Sequence, residues 1–269
     1  MTTSALALAA AWPVAADGGV RPVVVEADRS GGELMIRFGL PATPSLLDVA
    51  ASARQEEPGS LLGAVSELPF GVRVVASVPG RAPCVGAVRV LASKDGQRVL
   101  RGEAGDTGTV LVDVGRISED VVPLLEAADQ VVLVTRGSPA ALTQVATCGL
   151  DLDMYVGRFA LVVVGPCRYP AGEIADVLAM PRVVLWPWDG RSVAALGGAG
   201  RARLRAEGFR VPALLAAAGD LARRLIGAQG LAAQVGERAQ GNGVESGARG
   251  AACWTRAGLV EVSGEGSGS

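Results

Sequence analysis

Histidine is absent from the 269 residues. That excludes a Ser-His-Asp triad, imidazole acid–base chemistry and histidine metal ligation within the chain. Lysine is almost absent too, so arginine carries nearly all the positive charge. The formal net charge of −2 gives no general attraction to nucleic acid, although a local basic patch remains open. Cysteine is scarce: Cys84, Cys148, Cys167 and Cys253 stand far apart with no C-x-x-C pair. Zinc-site spacing is therefore missing, and scattered reduced thiols in a cytoplasmic protein are expected. No apolar run reaches the ~20 residues needed to span a bilayer. The apolar start Ala5–Ala16 lacks a basic flank and is closely followed by the strand signal Pro22–Val25, so it reads as a buried helix rather than a signal peptide.

What is present is apolar material, 49% of the chain. Strand-like and helix-like segments alternate. Strands are predicted over 21–27, 71–76, 109–114, 130–135, 159–164 and 182–186. Helices are predicted over 4–16, 45–54, 83–93, 119–128, 139–148, 171–180 and 211–226, with Ser45 as a plausible N-cap. Continuous Val/Leu strands separated by helices predict an α/β fold: a mostly parallel sheet of six or seven strands sandwiched between helices in three layers. Its domain is expected over residues 1–226. Residues 227–269 are expected to be a flexible Gly/Ala/Ser-rich tail, with a short sticky segment near Trp254.

Ligand sites of such sheets lie at the carboxyl ends of the strands. Three strand ends there carry polar residues: Glu26-Ala27-Asp28 with Gly31-Gly32 following, Asp113-Val114-Gly115, and Thr135-Arg136. At the front, Met1-Thr2-Thr3 followed by Ala5-Leu6-Ala7-Leu8-Ala9 reads as the end of a phosphate-binding loop running into its helix.

From Thr2 to about Leu225 the chain resembles the MinD/ParA family of deviant P-loop ATPases, with the P-loop missing or degenerate. The resemblance rests on Thr2-Thr3 and the helix after them, on Glu26-Ala27-Asp28, and on Leu111-Val112-Asp113, which is similar to a Walker B strand. It also rests on the segment from Ala127 to Thr135 and on Val177 through Trp186-Pro187-Trp188-Asp189. It implies that Asp28 positions attacking water and that Asp113, with Thr2, holds Mg²⁺. It further implies that Thr2, Thr3 and Glu26 face the phosphates, and that Trp186 and Trp188 lie near adenine. Without bound ATP and Mg²⁺, Asp28 and Asp113 would be inherited strand-end residues that cap loops. Trp186 and Trp188 would then be core and rim packing, and Gly31-Gly32 either a mobile switch turn or an ordinary one.

The departures bear on function. The family's first strand, glycines and signature lysine have no counterpart; Met1 falls where the lysine would be, and a free amino group there could imitate its charge. Gly165-Pro166-Cys167 stands where a base-reading asparagine is expected. Without the amide cradle and the lysine, stabilisation of phosphoryl transfer is lost. The expected function is therefore a non-hydrolysing positioning or assembly protein acting on protein partners, in cell division, partitioning or polar secretion. The alternative is an active ATPase whose loop lies upstream. The resemblance implies a homodimer across the strand ends. Arg201, Arg203 and Arg205 could contact DNA non-specifically or form a solvated helix face. A membrane-associated positioner is disfavoured by the Gly-broken tail. A missing central strand would leave two open edges, which Gln97–Arg101 or Gly258–Val262 could fill.

Overall fold

The computed structural model describes residues 2–55, 60–102, 108–150, 157–198, 211–240 and 254–261, with the last stretch and 229–240 given as backbone. Eight strands build one sheet: β1 (Val23–Glu26), β2 (Ser66–Glu67), β3 (Arg73–Val75), β4 (Gly108–Arg116), β5 (Gln130–Arg136), β6 (Phe159–Val164), β7 (Val183–Trp186) and β8 (Trp254–Glu261). Their order across the sheet is β2-β3-β1-β4-β8-β5-β6-β7. Every pairing is parallel except that of the short edge strand β2 with β3.

Successive residues of a strand point to opposite faces. Val23 and Val25, Val110 and Val112, Val131 and Leu133, and Leu161 and Val163 enter one core; Val24, Leu111, Val132 and Val162 enter the other. Both faces are covered, which is why these strands read as unbroken apolar runs. The first core is closed by α3 (Leu46–Ser52), α4 (Arg81–Ala92), α6 (Val122–Glu126), α7 (Pro139–Ala146) and α8 (Ala171–Leu178). The second is closed by α1 (Thr2–Ala10), α2 (Leu34–Phe38), α9 (Gly190–Leu196) and α10 (Ala213–Gln240). Ala5 through Ala9 are all fully buried, because α1 lies between the sheet and α10. α10 answers with Leu214, Ala218, Leu221, Ala222 and Leu225, spaced for one helix face.

The fold class is as expected: a three-layer α/β sandwich on a mostly parallel sheet. Four details differ. α1 stops at Ala10 rather than running to residue 16, because Pro13 breaks the helix and a 3₁₀ turn, Val14–Asp17, follows. Gln97–Arg101 is helical, part of α5 (Lys94–Arg101), with Ser93 accepting the Gly96 N–H as its N-cap. α2 and α9 have five and seven residues, too short for a clear period. The stretch expected as a flexible tail carries α10 on to Gln240, and β8 lies in the centre of the sheet. Ser45 is the expected N-cap: its Oγ accepts the Leu47 N–H at 3.2 Å, and Asp48 accepts the Ser45 N–H at 2.7 Å.

β8 is the element that completes the sheet. Leu259 is in register with Asp113 on one side and with Val132 on the other. Without a strand there, β4 and β5 would each present an open edge. Among the described residues no helix is long and apolar enough to cross a membrane.

Candidate functional site at the strand carboxyl ends

The carboxyl ends of β1, β3 and β4 bring three acidic groups together around the start of α1. Glu26 and Asp113 are in register on neighbouring strands, and the Ala27 N–H donates to the Asp113 carbonyl at 2.8 Å. Glu26 is buried and fully engaged. Its Oε1 accepts the N–H groups of Glu33 at 2.7 Å and Leu34 at 3.1 Å, and its Oε2 accepts that of Ser77 at 2.9 Å. Burial raises its pKa, opposed by those three amides. The carboxylate thus ties the loop after β1 to the loop after β3. Gly32 makes that contact possible: a Cβ there would fall 2.0 Å from the Ser77 carbonyl oxygen.

Asp113 is completely buried, and burial pushes its pKa up to about 6. The Thr2 hydroxyl and the Gly115 N–H, 3.3 Å from Oδ1, work against that rise. Its Oδ2 has no partner, an orphaned buried oxygen beside the first turn of α1. Asp28 is half-buried, and its Oδ1 accepts the Ser30 N–H at 2.7 Å, closing its own turn. Arg29 of that turn pairs with Asp120, after β4, at 2.6 Å.

Next to this cluster, the ends of β5, β6 and β7 enclose a crevice of about 540 Å³. Thr3 and Ser4 line it from α1, Thr135, Arg136 and Ser138 from the end of β5, Pro166 after β6, and Trp188 after β7. Trp188 is 66% exposed. Asp189 caps α9 and accepts the Ser192 hydroxyl at 2.7 Å, which holds its pKa below the ordinary value.

Of the residues singled out from the sequence, Thr2, Glu26, Asp28 and Asp113 converge at one place, and Thr3 and Trp188 line the adjoining crevice. Trp186 departs from the adenine-side expectation. It is 1% exposed, packed in the second core, and takes no part in the crevice lining. Sequence reading did not find Ser77, Ser4 or Ser138, and it marked Pro166 only as a departure at the expected base-reading position. Each stands just after a strand or in the first turn of a helix, but only the assembled sheet shows that these positions meet. Met1 and the arginines at 201, 203 and 205 lie outside the described residues.

A Mg²⁺ ion held by one or two protein oxygens plus substrate phosphates would suit Asp113 and Thr2, given the unpartnered Oδ2. The crevice volume suits a nucleoside. The phosphate side fits less well. The chain's sole lysine, Lys94, opens α5 on the surface, beyond the far end of α4. Glu26 has no oxygen to spare. Among the described residues no three His, Cys, Asp or Glu side chains are grouped to hold a metal.

Sequence comparison matches the chain to no family model and to no characterised protein. Solved structures do match its fold. One is the cell division ATPase MinD of Pyrococcus furiosus, with a TM-score of 0.58 at 18% identity, covering 82% of this chain and 92% of that one. Another is the septum site-determining protein MinD of Pyrococcus horikoshii OT3, complexed with Mg-ADP. Its TM-score is 0.59 at 18% identity, over 82% of this chain and 89% of that one. A third is a ParA family ATPase from Chlorobium tepidum TLS, at 0.54 and 17%, covering 82% and 91%. At these identities the likeness establishes the fold alone: a three-layer α/β architecture that this chain shares with the MinD and ParA family structures.

Proposed function

We propose that this chain is a MinD/ParA-like positioning or assembly protein, of the kind used in cell division, partitioning or polar secretion. It works in the cytoplasm by protein–protein contact and does not hydrolyse ATP with these 269 residues. The observation that carries this reading is the placement of positive charge. The sole lysine is on α5, the buried Asp113 and Glu26 with Asp28 stand beside the α1 N-terminus, and the adjoining crevice carries one charged residue, Arg136. Phosphoryl transfer needs a cation over the phosphates, and among the described residues no lysine stands at the strand ends to supply it. The surface across the strand ends, with Trp188 exposed on it, is the face on which a second copy would pack. Specific nucleic-acid recognition is not part of this reading.

A second reading is an active ATP-dependent ATPase of the same type, with its phosphate loop supplied from outside these residues. The crevice of about 540 Å³ beside Thr3 and the Mg-ADP complex of the P. horikoshii neighbour favour it. One experiment separates the two: phosphate release from Mg-ATP by the purified chain, with calorimetric titration of Mg-ADP alongside. No turnover above the buffer rate upholds the first reading. Magnesium-dependent turnover that Asp113→Asn abolishes replaces it with the second.

A further inference from the structure

A second concavity lies away from the crevice, on the opposite face of the sheet. α7 and α8 flank an apolar groove of about 270 Å³. Leu142 and Ile174 form its buried floor, and Leu178 closes one end. Val177 stands at its rim 78% exposed, more than any other large aliphatic side chain of the described residues. Single exposed aliphatics are ordinary. An exposed one on the lip of an apolar cavity marks a place where a partner can remove both from water.

The charge of the groove is one-sided. Glu173 is the only charged residue in its lining, and Asp176 follows it three positions on along α8. Both are exposed, and neither forms an ion pair among the described residues. α7 contributes no charge at all, its sequence being PAALTQVA.

We propose that this groove docks an amphipathic helix of a partner protein, with an aliphatic stripe at i, i+4 and i+7 and lysines or arginines beside it. Both flanking elements are helices of eight residues, about 12 Å long, which matches the ~10.5 Å from i to i+7. A third helix laid between two others fills the ridge-and-groove surface they present. The basic flank follows from Glu173 and Asp176, which would otherwise stay unpaired at the rim of a desolvated contact. The proposal supplies a docking chemistry for the protein-contact reading above but rests on separate residues, so either can fail alone.

The test uses the full chain and a fluorescein-labelled synthetic helix with leucines at i, i+4 and i+7 and flanking lysines, followed by fluorescence anisotropy. A counterpart carrying glutamates in place of the lysines is run beside it. Expected are a saturable micromolar affinity for the basic helix, about tenfold weaker binding of the acidic one, and about tenfold weaker binding to Val177→Glu. Glu173→Lys is expected to lower the affinity about threefold to fivefold. Thr143→Glu, on the α7 side of the groove, is a second blocking variant should Val177→Glu not fold. Equal affinity of the two peptides, or binding untouched by the blocking variants, overturns the proposal. So does sedimentation showing that this face joins two copies of the chain and that Val177→Glu separates them. Phosphate release and Mg-ADP titration, which report on the crevice, stay unchanged in the groove variants.

Discussion

Gly115 faces the Asp28 carboxyl group so closely that a Cβ on Gly115 would lie 2.4 Å from Asp28 Cγ. Gly115 also has φ +67°, a left-handed conformation that side chains with a Cβ resist. The irregular end of β4, between Asp113 and Arg116, is therefore built around the turn after β1. Gly115→Ala is expected to lower stability by about 1–3 kcal/mol, through strain and through displacement of Asp28. Thermal unfolding followed by circular dichroism measures this, and an unchanged midpoint would refute it.

Glu26 holds three backbone N–H groups, two of them, those of Leu34 and Ser77, buried. Glu26→Ala strands all three and is expected to cost about 2–4 kcal/mol. Glu26→Gln keeps two acceptors at most and should fall between the variant and the natural chain. Urea titration with a shared m-value provides the comparison.

Asp113 makes stability pH-dependent. Its pKa rises from 3.8 to about 6 on folding, so the folded chain holds a proton that the unfolded chain has released. Stability is then greatest below the unfolded value and falls as pH rises through the window from 3.8 to about 6. The gap corresponds to about 3 kcal/mol, an upper figure for one group. Asp113→Asn should flatten that part of the stability–pH profile and leave the variant more stable than the natural chain at pH 8. A parallel fall in both proteins would contradict the assignment.

β8 tests the sheet itself. Leu259 sits between β4 and β5, in register with Asp113 and Val132. Leu259→Pro removes a ladder donor from a strand with neighbours on both sides, with an expected cost of about 3 kcal/mol or more. Hydrogen exchange should show the amides of β4 and β5 losing protection together. Loss confined to residues after 254 would mean that the sheet closes without β8.

Trp188 tests the crevice face. It is exposed on the face proposed for the homodimer contact. Trp188→Asp is expected to weaken self-association about tenfold or more, read by sedimentation equilibrium without nucleotide. A dimer unaffected by the change places the homodimer contact elsewhere.

Much of this molecule was legible in the sequence, and the reason is periodicity. Phe159–Val164 and Gln130–Arg136 are strands because each is an unbroken β-branched and aliphatic run, and both faces of the sheet are covered. Ser45 announces α3 through its capping chemistry, and Asp113 announces itself as an acid inside an apolar strand. Such signals are local: propensity and pattern act within one element, so a chain states them wherever it ends up. The tertiary structure decided what local signals cannot carry. Trp186, the last residue of β7, enters the second core on the same side as Val184, while Trp188 lies past the strand end on the crevice rim, and only the covered sheet shows that the Trp186 side is sealed. The use of Glu26 as a clamp depends on amides more than fifty residues away in the case of Ser77. The place of β8 depends on two open edges that exist only once β4 and β5 have folded, because a parallel strand is specified by its neighbours as much as by its own residues.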